Sequence, residues 1–228
     1  IRGVLRLAGL HERGKRNALK LTTSHNTITL PHLPEVFEGY RILHLSDLHL
    51  DVNPHMADVL IDRISSVDYD VCLITGDYRA KTFGAYDKAL EAMQKVSGAL
   101  QGPVYSILGN HDSIQMVPGL EAMGIEVLLN ESVVIEQDGE QLFLVGIDDP
   151  HYYEVHNIEK ASNGVPLEAV SIFLSHSPET YRKASLAGFD VFLCGHTHGG
   201  QICLPGGIPL MCNAKAPRKL CNGAWQYE

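Results

Sequence analysis

The sequence predicts an α/β fold in which two packed, mixed β-sheets are flanked by helices. Short apolar runs alternate along the chain with segments whose apolar residues recur every three to four positions. Most of these runs are almost continuously apolar, which is typical of strands covered on both faces. Two further runs surround Asp138-Gly139, a strong signal for a hairpin turn between antiparallel strands. Helical segments between buried strands favour a layered arrangement with the helices outside.

The strand candidates are the runs that are nearly continuous in apolar character: residues 41–45, 71–75, 104–108, 171–175 and 191–194. Residues 133–137 and 141–146 form the two arms of the predicted hairpin. Residues 20–30, in which Thr and Ile are prominent, also read as extended. No internal repeat or low-complexity tract interrupts this pattern.

Three segments have the spacing of amphipathic helices. Residues 54–67 and 86–99 place apolar side chains along one face. A third helix is predicted over residues 178–187, because Ser177 is a suitable N-cap and Pro178 takes the first helical position. These helices lie between strand candidates, as crossover connections in a parallel sheet do.

The composition fits a single domain. The chain has 228 residues, of which 45% are hydrophobic, so it can bury one sizeable core. We expect one domain over residues 1–228, and we expect it to be a monomer. The formal net charge of −9 argues against nucleic acid as a partner, since a broad binding surface for DNA or RNA needs clustered Lys and Arg.

Positive charge is concentrated in residues 1–20, which contain six Lys and Arg residues among apolar ones. Such a basic segment fits either a peripheral contact with an anionic membrane surface or a solvated terminal helix. No run reaches the roughly 18 apolar residues of a membrane span, and no signal-peptide pattern is visible. Because the sequence starts at Ile1 and looks extended just before Glu228, we expect an upstream segment and one or two final strands outside it.

The five cysteines carry no CxxC pair that would indicate zinc or redox chemistry. Cys72 and Cys194 lie in apolar strand patterns, where free cysteine behaves as a small hydrophobe. The odd count favours a reducing compartment, and a disulfide among Cys203, Cys212 and Cys221 stays open.

Polar residues that can bind metal ions stand at the ends of the apolar runs. They form five motifs: Asp47-Leu48-His49, Gly76-Asp77, Gly109-Asn110-His111-Asp112, His176, and Gly195-His196-Thr197-His198. Loops at the carboxyl ends of strands meet in one crevice of an α/β fold, so five short loops can surround one point. Two histidines that stand two positions apart in an extended segment point the same way. The motifs together indicate a site for two divalent cations.

This set of motifs, in this order, resembles the calcineurin-like metallophosphoesterases over residues 41–201. The sequence GHTHGGQI at residues 195–202 is similar to a bacterial branch that often carries an N-terminal membrane anchor or an export signal. The resemblance implies a single metallophosphoesterase domain with a four-layer α/β/β/α sandwich. It also implies a bacterial protein in the cytoplasm or at the cytoplasmic face of the membrane, with an exported form left open.

The resemblance also assigns metal ligands. It implies that Asp77 bridges two cations, since a carboxylate has two oxygens to offer. The other ligands are Asp47, His49 and His198 for one cation, and Asn110, His176 and His196 for the other. A set of nitrogen and oxygen ligands without thiolate accommodates Mn²⁺, Fe²⁺/Fe³⁺ or Zn²⁺. The implied nucleophile is a metal-bridging hydroxide.

His111 lies outside the implied ligand set and is expected to be the general acid or an electrostatic stabiliser at the leaving oxygen. Asp112 is expected to orient His111 through a carboxylate–imidazole hydrogen bond. The alternative is that Asp112 caps the next turn. His111 and Asp112 are the candidate catalytic residues, the first as a proton donor or stabiliser and the second as the residue that orients it.

The residues around the motifs limit the class of substrate. Protein Ser/Thr phosphatases of this superfamily typically carry arginine clamps beside the GD and GNH motifs, whereas Leu108 precedes Gly109 here and only Arg79 lies near. The expected substrate is a phosphodiester, pyrophosphate or phosphomonoester, either a small molecule or lipid-linked, such as UDP-2,3-diacylglucosamine. The alternatives are a general phosphomonoesterase, a cyclic-nucleotide phosphodiesterase and a non-enzymatic metal-binding scaffold. Residues 148–156, rich in Tyr and His, form either a lid or pocket or an ordinary crossover loop.

Overall fold

The computed structural model describes residue 3 and residues 9–200, 203–204, 208–209 and 212–227. The strands within these ranges are Ile42–Leu45 (β1), Val71–Ile74 (β2), Val104–Ser106 (β3), Ile125–Val127 (β4), Glu131–Gln137 (β5), Glu140–Gly146 (β6), Ser171–Leu174 (β7), Val191–Leu193 (β8), Cys203–Leu204 (β9) and Ile208–Pro209 (β10). The α-helices are Leu10–Ala18, Met56–Ile64, Asp87–Ser97, Val117–Glu121, Ile158–Ala161 and Tyr181–Leu186. Short 3₁₀ turns occupy Glu35–Phe37, Ile114–Met116, Pro178–Thr180, His198–Gly200 and Arg218–Leu220.

Two four-stranded sheets form the centre of the molecule. The first has the order β1-β2-β3-β4 and is parallel throughout. The second has the order β5-β6-β7-β8, with β5 antiparallel to β6 and the remaining pairs parallel. β9 and β10 form a separate antiparallel pair. The predicted fold class is confirmed, and the mixed character belongs to the second sheet.

Alternation along the strands divides the core into layers. In β2, Val71 and Leu73 pack in the core between the two sheets, whereas Cys72 and Ile74 face the helices on the other side. In the second sheet, Ile172 also faces the core between the sheets, and Phe173 belongs to a third cluster under the outer helices. Because successive side chains point to opposite faces, a strand that is apolar at every position is buried on both. The result is the expected α/β/β/α sandwich.

The predicted elements are found, with shifts at their ends. The hairpin turns at Asp138 and Gly139, both with positive φ, as a two-residue turn between twisted strands requires. Ser177 caps the third predicted helix by accepting a hydrogen bond from the Glu179 amide, although its first turn is 3₁₀. β4 was not predicted, because it has only three residues and an exposed Glu126 at its centre.

The extended interpretation of residues 20–30 was wrong as a strand prediction. These residues have no strand partner, and most of their side chains are exposed. Thr and Ile favour a strand only where a neighbouring strand and a covered face are present. Of the basic N-terminal segment, the helix Leu10–Ala18 is described, and residues 1–2 and 4–8 lie outside the described residues. Among the residues that are described, no helix is long and apolar enough to cross a bilayer.

The cysteines are only partly as expected. Cys72 is buried and free, and Cys194 is free but half-buried. A disulfide joins Cys212 and Cys221, which is one of the pairings that the sequence leaves open.

Candidate metal centre

The seven predicted metal ligands and His111 come together where the strands of both sheets end. Loops after β1, β2 and β3 bring Asp47, His49, Asp77, Asn110 and His111, and loops after β7 and β8 bring His176, His196 and His198. Eight described residues other than glycine have a positive φ, and five of them belong to this site: Asp47, His49, Asp77, His196 and His198. Such backbone conformations are costly and persist only where the surrounding structure holds them, which is typical of functional sites.

Backbone hydrogen bonds hold the loops to one another. The Asp47 amide donates to Gly76 O at 3.0 Å, and the His49 amide donates to Asp77 O at 3.0 Å. The His196 amide donates to the Asp47 carboxylate at 2.9 Å. Gly195 makes this last contact possible, because a Cβ at that position would overlap the Asp47 carboxylate. The glycine of the GHTH motif is therefore a packing requirement of the site.

The first ligand group is formed by Asp47, His49 and His198. Their potential ligand atoms all lie within 4.8 Å of one another. His49 Nε2 is 3.2 Å from His198 Nε2, and His198 Nε2 is 3.4 Å from Asp47 Oδ1. These three residues are the ones that the family resemblance assigns to a single cation.

The second ligand group lies deeper. His176 Nε2 is 3.3 Å from Asp77 Oδ2 and 3.0 Å from Asn110 Oδ1, and His196 Nδ1 is 2.8 Å from the same Asn110 oxygen. Asp47, Asp77 and His176 also have ligand atoms within 4.8 Å of one another. Asp77 Oδ2 is in addition 3.9 Å from His49 Nε2, so this oxygen lies between the two groups.

Backbone carbonyls fix the tautomers of three of these histidines. A carbonyl oxygen can only accept a hydrogen bond, so the ring nitrogen facing it carries the proton, and the other nitrogen of the neutral ring keeps a lone pair. The pairs are His49 Nδ1 with Arg79 O at 2.8 Å, His176 Nδ1 with Thr75 O at 2.7 Å, and His196 Nε2 with Asn213 O at 2.7 Å. Histidines that bind metals are generally oriented in this way.

The other ring nitrogens of His49 and His176 each face a further potential metal ligand. His49 Nε2 meets His198 Nε2, while His176 Nε2 meets the Asp77 carboxylate. At most one proton can lie between the members of each facing pair, whereas a cation accepts lone pairs from all its neighbours at once. The donor set of imidazoles, carboxylates and one carboxamide therefore fits divalent metal ions.

Burial gives these groups unusual acidities. Burial opposes ionisation of both members of the Asp77–His176 pair, yet their contact lowers the pKa of Asp77 and raises the pKa of His176. Burial, and then repulsion from His176, lowers the pKa of His196 to about 4. His196 is consequently neutral at pH 7, the form in which imidazole binds a metal.

Asp112 does not make the predicted hydrogen bond to the His111 ring. Its carboxylate accepts three backbone hydrogen bonds, from the amides of Asp77 at 2.7 Å, Tyr78 at 2.9 Å and Gly109 at 2.9 Å. Burial, and then repulsion from Asp77, raises the pKa of Asp112 to about 7. Asp112 does not cap the next turn either, because the amides belong to Gly109, which precedes it, and to Asp77 and Tyr78 in the loop after β2. Its orientation is set by three amides from two loops, which a local pattern does not reveal.

The partner of the His111 ring is instead Thr82, whose Oγ1 lies 3.0 Å from His111 Nδ1. His111 Nε2 points towards the ligand groups and is 3.9 Å from Asp77 Oδ2. Thr82 was not predicted, and no motif marks it, because the loop that carries it is positioned by tertiary contacts. Asn213 was not predicted either, since it contributes only its carbonyl oxygen.

The family model for calcineurin-like phosphoesterases matches residues 40–200, which is more than half of the chain. The chain belongs to the calcineurin-like phosphoesterase family. This agrees with the resemblance of the motifs and with the two-sheet architecture. The family uses divalent metal ions, and the two ligand groups are where such ions would bind.

Several relatives are similar over most of the chain. It is 32% identical over 193 residues to a transmembrane protein with a metallophosphoesterase domain from Danio rerio, covering 77% of this chain and 44% of that protein. It is 31% identical to the metallophosphoesterase YkoQ of Bacillus subtilis, covering 72% and 63%, and 27% identical to the phosphodiesterase YaeI of Escherichia coli, covering 73% and 63%. The chain thus spans about half to two thirds of the length of these relatives.

Among solved structures, the NAD nucleotidase NadN of Haemophilus influenzae is similar with a TM-score of 0.49 and 17% identity. The similarity covers 70% of this chain and 43% of that one. The family assignment rests on the sequence matches and not on this superposition.

Proposed function

We propose that this chain is a metal-dependent phosphoric ester hydrolase that binds two divalent cations. Asp47, His49 and His198 would hold one cation, and Asn110, His176 and His196 the other. Asp77 would bridge the two. The observation that carries the proposal is the position of Asp77 Oδ2. It is 3.3 Å from His176 Nε2 in the deeper group and 3.9 Å from His49 Nε2 in the outer group.

The ligand types are compatible with Mn²⁺, iron or Zn²⁺. When bound, a pair of such ions neutralises phosphate charge and lowers the pKa of water, so that an attacking hydroxide is available near pH 7. The protein's part is to fix the ligand geometry. It does so through the histidine tautomers set by Arg79 O, Thr75 O and Asn213 O.

His111 is placed to serve the leaving group. About a third of its side chain is exposed, and Nε2 faces the ligand groups while Thr82 holds Nδ1. A histidine in this position can give a proton to the departing oxygen or stabilise its negative charge. Asp112 would act only through the backbone, by fixing the turns that carry Asp77 and Gly109.

The geometry disfavours a protein phosphatase. Leu108 is buried, and the Arg79 guanidinium is buried as well, donating its hydrogen bonds to backbone carbonyls instead of facing the ligand groups. No arginine of the GD or GNH motif is therefore available as a bidentate phosphate clamp. The substrate is a small or lipid-linked diester, pyrophosphate or monoester, and UDP-2,3-diacylglucosamine is the lipid-linked candidate.

Hydrolysis of bis-p-nitrophenyl phosphate and of p-nitrophenyl phosphate tests the proposal, after purification without chelators and reconstitution with Mn²⁺, Zn²⁺ or Fe²⁺. Asp77→Ala and His111→Ala are the variants, and His25→Ala, at an exposed histidine outside the site, is the matched control. We expect turnover by the wild type and the control only. If both variants still hydrolyse the esters, or if the wild type hydrolyses neither, the catalytic proposal is wrong. The alternative of a metal-binding scaffold then remains.

The pair of model substrates also decides the class of ester. A preference for the diester supports a phosphodiesterase, and a preference for the monoester supports a general phosphomonoesterase. Cyclic AMP covers the cyclic-nucleotide alternative. Release of UMP from UDP-2,3-diacylglucosamine with Mn²⁺ and detergent tests the lipid-linked substrate, and failure under these conditions discards it. Binding to anionic vesicles, compared with a variant whose basic residues at positions 1–20 are neutralised, tests the proposed peripheral membrane contact.

A further inference from the structure

Three exposed aromatic side chains from two different loops meet near the segment that carries His111. Phe83 follows Thr82 directly, and Tyr152 and Tyr153 belong to the loop after β6. The ring centroids of Phe83 and Tyr152 are 6.1 Å apart and those of Tyr152 and Tyr153 are 5.0 Å apart, both edge to face. These side chains are 71%, 50% and 41% exposed. We call these three residues the aromatic face; exposed apolar surface of this kind marks binding sites.

The loop that carries Phe83 is held from within by Arg79. This arginine is only 2% exposed, and its guanidinium donates hydrogen bonds to the carbonyls of Gly84 at 2.7 Å, Thr82 at 2.6 Å and His111. A buried guanidinium with backbone partners on both sides of Phe83 restricts the loop. It also links that loop directly to the backbone of His111.

The loop that carries the two tyrosines is held by Asp149, which is fully buried. Its carboxylate accepts hydrogen bonds from the amides of His151 at 3.0 Å, Tyr152 at 2.7 Å and Tyr153 at 2.7 Å. The Tyr153 hydroxyl then donates to the carbonyl of Asp112 at 3.2 Å. Both loops are thus preorganised and joined to the segment that contains His111, which lowers the cost of ordering them around a ligand.

We propose that the aromatic face binds an aromatic ring carried by the leaving group of the substrate, such as the base of a nucleoside. This rests on the proposed function, in which His111 serves the departing oxygen. In the reaction a water-derived oxygen bonds to phosphorus, the bond from phosphorus to the nucleoside oxygen breaks, and that oxygen takes a proton from His111. The part of the substrate attached to this oxygen then lies on the side of the site where Phe83, Tyr152 and Tyr153 are found.

The shape of the face favours a ring over an acyl chain. The three rings are partly exposed to solvent, and a flat π-system gains by stacking on an exposed aromatic ring. Because each of the three side chains is at least 41% exposed, the surface is open, and a long chain lying on it would remain largely in water. Stacking needs a ring on the protein side, whereas an acyl chain needs only apolar surface.

Leucine substitutions separate these two occupants. Phe83→Leu and Tyr152→Leu keep apolar surface and remove the ring, Tyr153→Phe keeps the ring and removes the hydrogen bond to Asp112, and Tyr227→Leu is a matched aromatic control in the C-terminal tail. The substrates are the methyl phosphodiesters of adenosine (at its 5′ oxygen), of ribose (at its 5 oxygen) and of octanol. All three present a primary alcohol as leaving group, so their intrinsic reactivity is similar.

We expect wild type to prefer the adenosine ester, releasing adenosine and methyl phosphate. Phe83→Leu and Tyr152→Leu should each lower kcat/KM for this ester about tenfold, and leave the ribose ester within about twofold. Tyr153→Phe and Tyr227→Leu should keep the preference. Equal losses on adenosine and ribose esters, a preference for the octyl ester, or release of AMP would overturn this inference. If bis-p-nitrophenyl phosphate is still hydrolysed in that case, the proposed function stands; absence of all turnover overturns both.

Discussion

The two ligand groups differ most in their access to solvent. In the outer group, the side chains of His49 and His198 are 18% and 32% exposed, whereas in the deeper group Asp77 and His176 are 1% and 0% exposed. Left-handed backbone occurs in both groups, so burial is what separates them: the outer group borders solvent and the deeper one is enclosed. We therefore expect the outer cation to exchange readily and the deeper one to be coupled to folding.

The largest expected effect is that of the residue shared by both groups. Asp77→Asn preserves the shape of the side chain and removes its charge, so both ligand groups lose an anionic ligand. We expect kcat/KM for the better p-nitrophenyl ester to fall by roughly 10³ or more, and the bound metal to fall below one ion per chain. Elemental analysis measures the bound metal, and initial rates give kcat/KM. Retention of two ions with near-normal activity would contradict the bridging role.

The next effect distinguishes the two groups by stability without metal. His176→Ala leaves the buried Asp77 charge without its partner, which should lower the free energy of unfolding of the apoprotein by about 3 kcal/mol. His198→Ala removes a part-exposed side chain of the outer group, and we expect a change below about 1 kcal/mol. Urea denaturation in the presence of chelator measures both. Similar losses for the two variants would show that the groups do not differ in their coupling to the core.

A third prediction concerns how the C-terminal tail supports the deeper group. The disulfide between Cys212 and Cys221 closes a loop whose carbonyls accept hydrogen bonds from two motif residues: Asn213 O from His196, and Cys221 O from Thr197 at 2.8 Å. We expect the double variant Cys212→Ser, Cys221→Ser to weaken Mn²⁺ binding at one of the two sites by about 10–100-fold. Cys203→Ser, at an exposed free cysteine, is the control. Calorimetric titration with unchanged affinity at both sites would refute this support.

The smallest effect is expected at Thr82, which touches no predicted metal ligand. Thr82→Val removes the hydroxyl that lies 3.0 Å from His111 Nδ1. We expect kcat to fall about three- to tenfold with little change in KM, and the limb of the pH–rate profile that reports His111 to shift. Thr82→Ser should restore kcat and the pH–rate profile, and the exposed Thr23→Val should change neither of these. An increase in KM with unchanged kcat would indicate that Thr82 contacts the substrate instead of positioning His111.

The sequence predicts the fold and the composition of the site well, because the relevant signals are local. Apolar runs such as residues 71–75 indicate strands buried on both faces, and Asp138-Gly139 indicates a turn through the backbone freedom of those residues. Metal-binding residues that follow directly after strands must lie at the carboxyl edge of a sheet. For this reason the seven predicted ligands and His111 are found in one place.

The two wrong predictions have a common physical origin. Asp112 was expected to contact its neighbour His111 but satisfies amides from two loops, and residues 20–30 have strand-forming side chains but no strand beside them. In both cases the outcome depends on which groups another part of the chain brings near. Such partners are set by packing and not by adjacent sequence.

By itself, the sequence determines the α/β class, the strand-end position of the motifs and the identity of the metal-capable side chains, because periodicity and turn chemistry act over a few residues. Only the tertiary structure decides which histidine nitrogen keeps its lone pair, that Thr82 and not Asp112 contacts the His111 ring, and that Cys212 pairs with Cys221. It also brings Phe83 to Tyr152 across 69 positions of chain. Hydrogen bonds and ring contacts act over a few ångströms, so they are fixed only once distant loops have packed together.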